Sequence, residues 1–218
     1  MDSTLIEQEV IDEIARCCGV VEQVAKITES AMNGELDFKE SLARRVGLLK
    51  GTPVSVLELE LCRGLKKLGF QLALSLVSVK GITSFWLKAY CGIGGFLPLA
   101  KYVKSELGLD FAYANQLEVS QDGTVLEGRT FGPIVDGTRK AELLDVIAQS
   151  CNVGVNQVIA VGDGANDLPM LGVAGLGVAF NAKPRVQEQA QVCLNQPSLL
   201  YVLTLLGLTE TEIAELLL

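Results

Sequence analysis

The distribution of apolar and polar positions divides the chain into a helical first part and an alternating second part. Between about Val10 and Glu60, apolar residues recur every three or four positions, which predicts amphipathic helices. Asp37 is placed to cap the third of these helices, which is ended by Gly51-Thr52-Pro53. This part of the sequence therefore predicts a small helical bundle rather than part of a sheet.

The second part alternates predicted strands with predicted helices. In chain order these are a helix at 59–68, a strand at 70–78, a helix at 97–107, a hairpin turning at Asp122-Gly123, a helix opened by Lys140, and buried strands at 158–161 and 175–180. Such alternation is typical of a parallel sheet with helices on both faces. The sequence accordingly predicts an α/β fold for this part of the chain.

Residues 79–93 interrupt the alternation. They include the apolar side chains of Phe85, Trp86 and Leu87 without a clean period, and they lead into Gly94-Gly95-Phe96. We interpret this segment as an atypical insertion in the second part of the chain.

Composition excludes several classes of protein. The 218 residues suffice for one sizeable core, or for a core domain with a smaller inserted one. A net charge of -8 argues against nucleic acid or an anionic membrane as the main partner, because both require clustered Lys and Arg. The absence of histidine excludes Ser-His-Asp triads and imidazole metal sites. We therefore expect a small substrate that is handled by carboxylates, lysine and hydroxyls.

The cysteines and the first residues indicate the compartment. The six cysteines form no C-x-x-C pair and show no zinc spacing, so we expect buried free thiols in a reducing environment. Asp2 and Glu7 break what would have to be the apolar run of a signal peptide. We expect an intracellular, soluble protein, either cytoplasmic or in an organelle interior if a transit peptide has been lost.

Candidate chemistry is concentrated at 158–171. After four apolar residues, Gly162-Asp163-Gly164 allows a tight turn and places a carboxylate at the carboxyl end of a strand, where ligands of open α/β sheets bind. Asp167 is placed to cap the next helix. Two carboxylates four residues apart on such a turn suit a hard cation such as Mg²⁺. The alternative is an acidic turn with one helix cap.

The stretch Gly162-Asp163-Gly164-Ala165-Asn166-Asp167, together with Asp2-Ser3-Thr4, resembles the haloacid dehalogenase (HAD) superfamily, and within it the phosphoserine phosphatase family. The likeness extends through Ile11-Asp12-Glu13-Ile14-Ala15, residues 31–38, Arg45-Val46, Leu48-Leu49-Lys50, Ala114-Asn115, Gly132-Pro133-Ile134-Val135 and Phe180-Asn181-Ala182-Lys183-Pro184. Together these motifs cover most of the chain outside residues 57–93.

The resemblance implies an HAD-like α/β core with a Rossmann-like parallel sheet, formed by residues 1–8 and 61–218, and an inserted helical-bundle cap at 9–60. It implies Mg²⁺-dependent hydrolysis of O-phospho-L-serine to L-serine and phosphate, the last step of serine biosynthesis. It implies that the chain binds this small substrate and neither nucleic acid nor a membrane. Whether the chain forms a homodimer stays open.

The resemblance also implies roles for individual residues. Asp2 corresponds to the aspartate that protonates the leaving serine oxygen and then activates water, and Lys140 to the lysine that neutralises phosphate and nucleophile. Glu9 and Arg45 correspond to the residues that recognise the amino and carboxylate groups of the substrate. The implied metal ligands are Asp2, Asp163 and Asp167, and the implied substrate contacts are Ser3, Glu9, Arg45, Ser78, Gly95 and Asn166.

Two features depart from the family's pattern. The first motif of the family is Asp-x-Asp-Ser-Thr, and Met1 takes its middle position, so we expect this chain to lack the nucleophilic aspartate and the strand before it. The Ser-Gly-Gly phosphate loop of the family is divided here between Ser78 and Gly94-Gly95. We interpret both as signs of a mis-assembled coding sequence, and we expect hydrolysis at a small fraction of a full-length relative's rate.

Two alternatives to a phosphoserine phosphatase stay open on the sequence. One is a catalytically inactive remnant that binds phosphate, phosphoserine or a partner chain without turnover. The other is an HAD phosphatase that acts on a different small phosphomonoester.

Overall fold

A computed structural model describes residues 2–6, 8–32, 34–57 and 90–215. Its helices are α1 (Val10–Cys18), α2 (Val21–Met32), α3 (Phe38–Gly47), α4 (Leu97–Leu107), α5 (Gly137–Ser150), α6 (Leu168–Val173), α7 (Pro184–Gln187), α8 (Val202–Leu205) and α9 (Glu210–Glu215). Its strands are β1 (Tyr90–Phe96), β2 (Phe111–Val119), β3 (Leu126–Phe131), β4 (Ile159–Gly162), β5 (Leu176–Phe180) and β6 (Val192–Leu194). The predicted helix at 59–68, the predicted strand at 70–78 and residues 79–89 of the insertion lie outside the described residues.

The helices of the first part form where the apolar spacing predicts them. Helix α1 buries Val10, Ile11, Ile14 and Ala15, and it ends at Gly19, whose φ of 71° is the left-handed conformation that glycine adopts most readily. Helix α3 begins with a capping box, in which Asp37 Oδ1 accepts the Glu40 N–H at 2.8 Å. The predicted cap at Asp37 is therefore confirmed.

The strands form two three-stranded sheets in the described residues. Strand β1 pairs parallel with β2, which pairs antiparallel with β3 across the predicted hairpin turn. Strands β4, β5 and β6 are all parallel. The α/β class with parallel strands is confirmed, whereas the sequence analysis predicted a single sheet. Leu5 packs against two apolar clusters, one that includes residues of β1 and β3 and one that includes residues of β5 and β6. The turn at 2–6 therefore contacts both clusters.

Strand β1 begins inside the segment interpreted as an insertion. Tyr90, Cys91 and Gly92 pair in register with Phe111, Ala112 and Tyr113 of β2. The sequence analysis missed this strand because glycine-rich residues have little intrinsic strand preference, and here the pairing with β2 provides the structure. The insertion at 79–93 is therefore not irregular throughout.

The Leu-rich end of the chain packs on the chain's own core. Leu199, Val202 and Leu203 are buried in a cluster with Val178 and Phe180 of β5. These residues therefore cover one side of β5 in their own chain.

The described cysteines differ from the sequence prediction in one respect. Cys17 and Cys193 are exposed, and Cys18 and Cys151 are half-buried, although all four are free thiols as predicted. The prediction of buried thiols is therefore wrong for these four, since an apolar sequence context does not fix which face of an element a side chain occupies. Among the described helices, none combines the length and the apolar character that a membrane span requires.

Candidate active site

The turn after β4 forms the centre of the candidate site. Gly162 ends the strand, and Ala165–Asp167 form a single 3₁₀ turn before α6. A Cβ on Gly162 would lie 2.6 Å from Asp167 Oδ2, so no other residue fits there without moving the carboxylate. The glycine thus lets Asp167 pack directly against the end of the strand.

Both oxygens of the Asp167 carboxylate accept hydrogen bonds. Oδ1 accepts from Lys140 Nζ at 2.6 Å, and the two side chains are 10% and 5% exposed. Oδ2 accepts from the backbone N–H of Asp163 at 3.2 Å and of Gly164 at 3.1 Å. Burial by itself raises the pKa of Asp167, but the charge and hydrogen bond of Lys140 lower it below its ordinary value. Asp167 therefore stays ionised and holds both the lysine and the turn.

These contacts correct one prediction about Asp167. Its side chain makes no capping hydrogen bond to α6. It bonds backwards to the turn instead, because Gly162 allows the carboxylate to approach the strand end. Its role as a metal ligand stays a prediction. A metal ion bound to Asp167 would contact carboxylate oxygens that already accept three hydrogen bonds.

Lys140 is positioned by the start of helix α5. The helix begins at Gly137, three residues before the predicted start, and Asp136 Oδ1 caps it by accepting the Arg139 N–H at 2.8 Å. The buried Asn115 accepts the Val135 N–H at 2.8 Å and fixes the approach to the helix. The cap at Asp136 was not predicted, although an aspartate just before a helical run is a recognised N-cap signal. Asn115 entered the sequence prediction only as part of a family motif, without a role.

An ion pair joins this helix start to α3. Lys39 Nζ lies 2.9 Å from Asp136 Oδ2, with the two side chains 61% and 19% exposed. Such a partly exposed pair contributes little to stability. Its effect is mainly on position, because α3 carries Arg45 and α5 carries Lys140.

The residues Asp2-Ser3-Thr4 lie against the same turn. Thr4 Oγ1 donates to Asp163 Oδ1 at 2.7 Å, and Ser3 Oγ donates to Glu9 Oε1 at 2.8 Å. Ser3 has a φ of 51°, a conformation that is costly for residues other than glycine and that is concentrated at functional sites. The structure therefore brings Ser3, Glu9 and Asp163 together, as the resemblance implies.

Two carboxyl groups of the site have raised pKa values. Burial is the main cause that raises the pKa of Asp2 to about 6, and the hydrogen bond from Val10 N and the charge of Lys140 act in the opposite direction. Burial likewise raises the pKa of Asp163, against the hydrogen bond from Thr4. Asp2 Oδ1 is buried and has no hydrogen-bond partner among the described residues. Asp2 as a residue is half-buried, but its carboxyl group is enclosed.

Arg45 lies on the side of α3 that faces these carboxylates. Burial lowers its pKa, while the negative charges of Glu9, Asp12 and Asp2 act to raise it. Its Nε donates to the Ser41 carbonyl at 3.3 Å. Arg45 and Glu9 thus lie close enough for their charges to interact. Together they could bind a small molecule that carries one negative and one positive group.

The remaining predicted contacts are placed less fully. Asn166 is half-buried in the 3₁₀ turn, and its carbonyl oxygen would lie 2.8 Å from a Cβ on Gly137, so the turn packs closely on the start of α5. Gly95 is buried in β1, and this strand packs against α5, the helix that carries Lys140. Ser78 lies outside the described residues.

The donor set of the site consists of oxygen atoms. Within residues 2–57 and 90–215, as far as they are described, no group of three or more His, Cys, Asp or Glu side chains is arranged to hold a metal ion. Asp2 and Asp163 offer two carboxylates, and the unpartnered Asp2 Oδ1 is a buried oxygen that a cation would satisfy. This set fits Mg²⁺, which binds one or two carboxylates and completes its shell with water and phosphate.

Comparisons with known proteins identify the family of the chain. Residues 129–198 match the haloacid dehalogenase-like hydrolase family. The chain is 45% identical over 229 residues to a probable phosphoserine phosphatase of Schizosaccharomyces pombe. This match covers 100% of the chain and 71% of that protein. The chain is 47% identical over 223 residues to the phosphoserine phosphatase of Saccharomyces cerevisiae, and this second match covers 98% of the chain and 67% of that protein.

A solved structure extends the likeness to three dimensions. The structure of a substrate-bound phosphoserine phosphatase matches the chain with a TM-score of 0.83 at 38% identity, and the match covers 94% of each chain. A second, a phospho-aspartyl intermediate analogue of phosphoserine phosphatase, matches with a TM-score of 0.81 at 38% identity, over 94% of this chain and 95% of that one. The chain therefore belongs to the phosphoserine phosphatase family of haloacid dehalogenase-like hydrolases.

Proposed function

We propose that the chain hydrolyses O-phospho-L-serine to L-serine and phosphate at the site around Asp2 and the 162–167 turn. The observation that carries this proposal is the enclosed Asp2 carboxyl group, whose Oδ1 has no partner among the described residues and on which the charge of Lys140 acts. Burial raises the pKa of this group to about 6. A carboxyl group with such a pKa can donate a proton near neutral pH and take one back in a later step.

The phosphate end of the substrate requires positive charge and N–H donors. An ammonium group has three N–H donors, and the bond to Asp167 uses one of those on Lys140. Because Lys140 is 4% exposed, its charge acts in a site from which most water is excluded. Lys140 therefore stabilises the phosphate and the negative charge that develops on it.

The serine end of the substrate carries an ammonium and a carboxylate group. Arg45 suits the carboxylate, because its planar guanidinium can donate two parallel hydrogen bonds. Glu9 suits the ammonium group, and the bond from Ser3 Oγ orients its carboxylate. The charges of Glu9 and Lys140 both act on the Asp2 carboxyl group. In the proposed step a water oxygen bonds to phosphorus as the bond from phosphorus to the serine oxygen breaks. Asp2 protonates the serine oxygen, and the proton that the water loses passes to the phosphate.

We propose Mg²⁺ as the cofactor, held by Asp2 and Asp163, with Asp167 as a third candidate ligand. When bound, the cation supplies positive charge that neutralises the phosphate oxygens. The bond from Thr4 Oγ1 to Asp163 Oδ1 leaves the second oxygen of Asp163 for this role. Ser78, Gly95 and Asn166 remain proposed substrate contacts.

Replacing Arg45 by methionine tests the choice of substrate. We expect the Kd for O-phospho-L-serine, measured by titration calorimetry without Mg²⁺ so that the ligand is not hydrolysed, to rise by about 10- to 100-fold, the usual loss for hydrogen bonds to a charged group. The Kd for O-phosphoethanolamine, which lacks the carboxylate, should stay within about twofold.

Arg44→Met serves as the matched control for this experiment, because Arg44 is the exposed neighbour on the same helix. It should leave both Kd values unchanged. An equal loss of affinity for both phosphomonoesters after Arg45→Met would favour a different substrate, and no binding of phosphoserine to the wild-type chain would overturn the proposal.

A further inference from the structure

The buried face of helix α3 carries a polar group that the proposed function does not use. Phe38, Ser41 and Arg45 follow one another at spacings of three and four residues, so they lie on one side of the helix. Ser41 is 1% exposed, and its Oγ has no hydrogen-bond partner among the described residues. A buried hydroxyl without a partner destabilises a fold and calls for an explanation.

Arg45 lies over the same turn of the helix. Helical side chains lean toward the N-terminus, so a residue covers the turn that precedes it. The bond from Arg45 Nε to the Ser41 carbonyl, at 3.3 Å, shows this arrangement directly. Because that bond uses Nε, the two terminal nitrogens of Arg45 are the donors that remain for a bound carboxylate.

A carboxylate held by these nitrogens can accept further hydrogen bonds from neighbouring groups. The Ser41 backbone N–H already donates to the Asp37 carbonyl at 2.9 Å, so the side-chain hydroxyl is the group of this residue that is left to donate. Resting on the proposed function, we propose that Ser41 Oγ donates a hydrogen bond to the substrate carboxylate bound by Arg45. Ser41 is then a specificity-determining residue.

Ser41→Ala tests this role. We expect about a tenfold rise in the Kd for O-phospho-L-serine, the usual effect of losing one hydrogen bond to a charged group. The Kd for O-phosphoethanolamine should not change. The thermal unfolding midpoint of the free protein should be equal to or higher than that of wild type, because alanine removes a buried group without a partner and favours the helix. Ser41→Cys keeps the shape of the side chain at a slightly larger size but donates weakly, so it should lose affinity in the same way.

Ser105→Ala, on an exposed position of α4, is the control for a serine-to-alanine change in a helix and should alter neither Kd. If wild type binds phosphoserine and Ser41→Ala binds it equally well, the Ser41 inference is wrong and the proposed function stands. Equal losses for both ligands, or a lower unfolding midpoint, would show that Ser41 acts through the fold and would also overturn it. If wild type does not bind phosphoserine, both proposals fail.

Discussion

Replacing Lys140 by methionine is expected to lower the free energy of unfolding by about 3–5 kcal/mol at pH 7.5, the usual cost of removing one partner of a buried ion pair. The change leaves the Asp167 carboxylate, which is 10% exposed, without its cationic partner at 2.6 Å. Urea denaturation followed by circular dichroism measures the loss. The same variant should lose phosphate affinity, because the charge that faces the phosphate is removed with the ion pair.

Acidification should reduce the difference in the free energy of unfolding between wild type and Lys140→Met. Asp167 has a lowered pKa in the folded wild type, so its contribution to stability is present above its ordinary pKa and is lost as the pH falls through the folded value. In Lys140→Met that contribution is absent. The two stability curves should therefore converge as the pH falls below about 4, the ordinary range of an aspartate.

Two further variants define the effect. Lys101→Met removes an exposed lysine of α4 and should change the free energy of unfolding by less than about 0.5 kcal/mol. Adding Asp167→Asn to Lys140→Met should recover part of the loss, since a neutral amide is less costly to bury than a lone carboxylate. The account of the pair would be contradicted if Lys140→Met cost no more than Lys101→Met.

Replacing Asp2 by asparagine should instead stabilise the metal-free protein, by about 3 kcal/mol at pH 7.5. The folded-state pKa of Asp2 is about 6, against an ordinary value of 3.8. The folded state therefore binds this proton more tightly than the unfolded state, and the stabilisation is complete below pH 3.8 and is lost as the pH rises through about 6. Asparagine does not titrate, so the variant does not undergo this particular loss.

Urea denaturation in the presence of a chelator, at several pH values between 4 and 7.5, measures this difference. The unfolding free energy of wild type should fall relative to Asp2→Asn between pH 4 and 7, and the curves should run in parallel above pH 7. Parallel curves over the whole range would show that the Asp2 carboxyl group is not held in a strained, enclosed position. A group that destabilises the free protein is understandable if it is kept for its chemistry.

The parts of the fold that depend on local sequence were predictable. The cap at Asp37, the buried strands around β4 and β5, and the carboxylate at the end of β4 follow from periodicity, from glycine and from capping chemistry. These features are determined by residues within one turn or one strand. The motif resemblance then supplied the family, which the comparisons confirm.

The contacts that define the site could not be read from local sequence. Lys140 and Asp167 are 27 residues apart in the chain and meet only because α5 packs beside the β4 turn. Asp167 has the residue type and the position of a helix cap, yet it bonds to Lys140 and to the turn behind it. Sequence patterns indicate which groups can donate or accept hydrogen bonds, whereas the packing of distant elements selects the partner.

Release of phosphate from O-phospho-L-serine by the purified chain, with Mg²⁺, tests the central claim most directly. The account predicts phosphate and L-serine in equal amounts, and a rate that Asp2→Asn lowers by about 100- to 10,000-fold, the usual contribution of a general acid and base. Because metal-free Asp2→Asn is expected to be more stable than metal-free wild type, unfolding of the free variant could not explain the loss. A rate that Asp2→Asn leaves unchanged, or no release of phosphate and serine by wild type, would contradict the account.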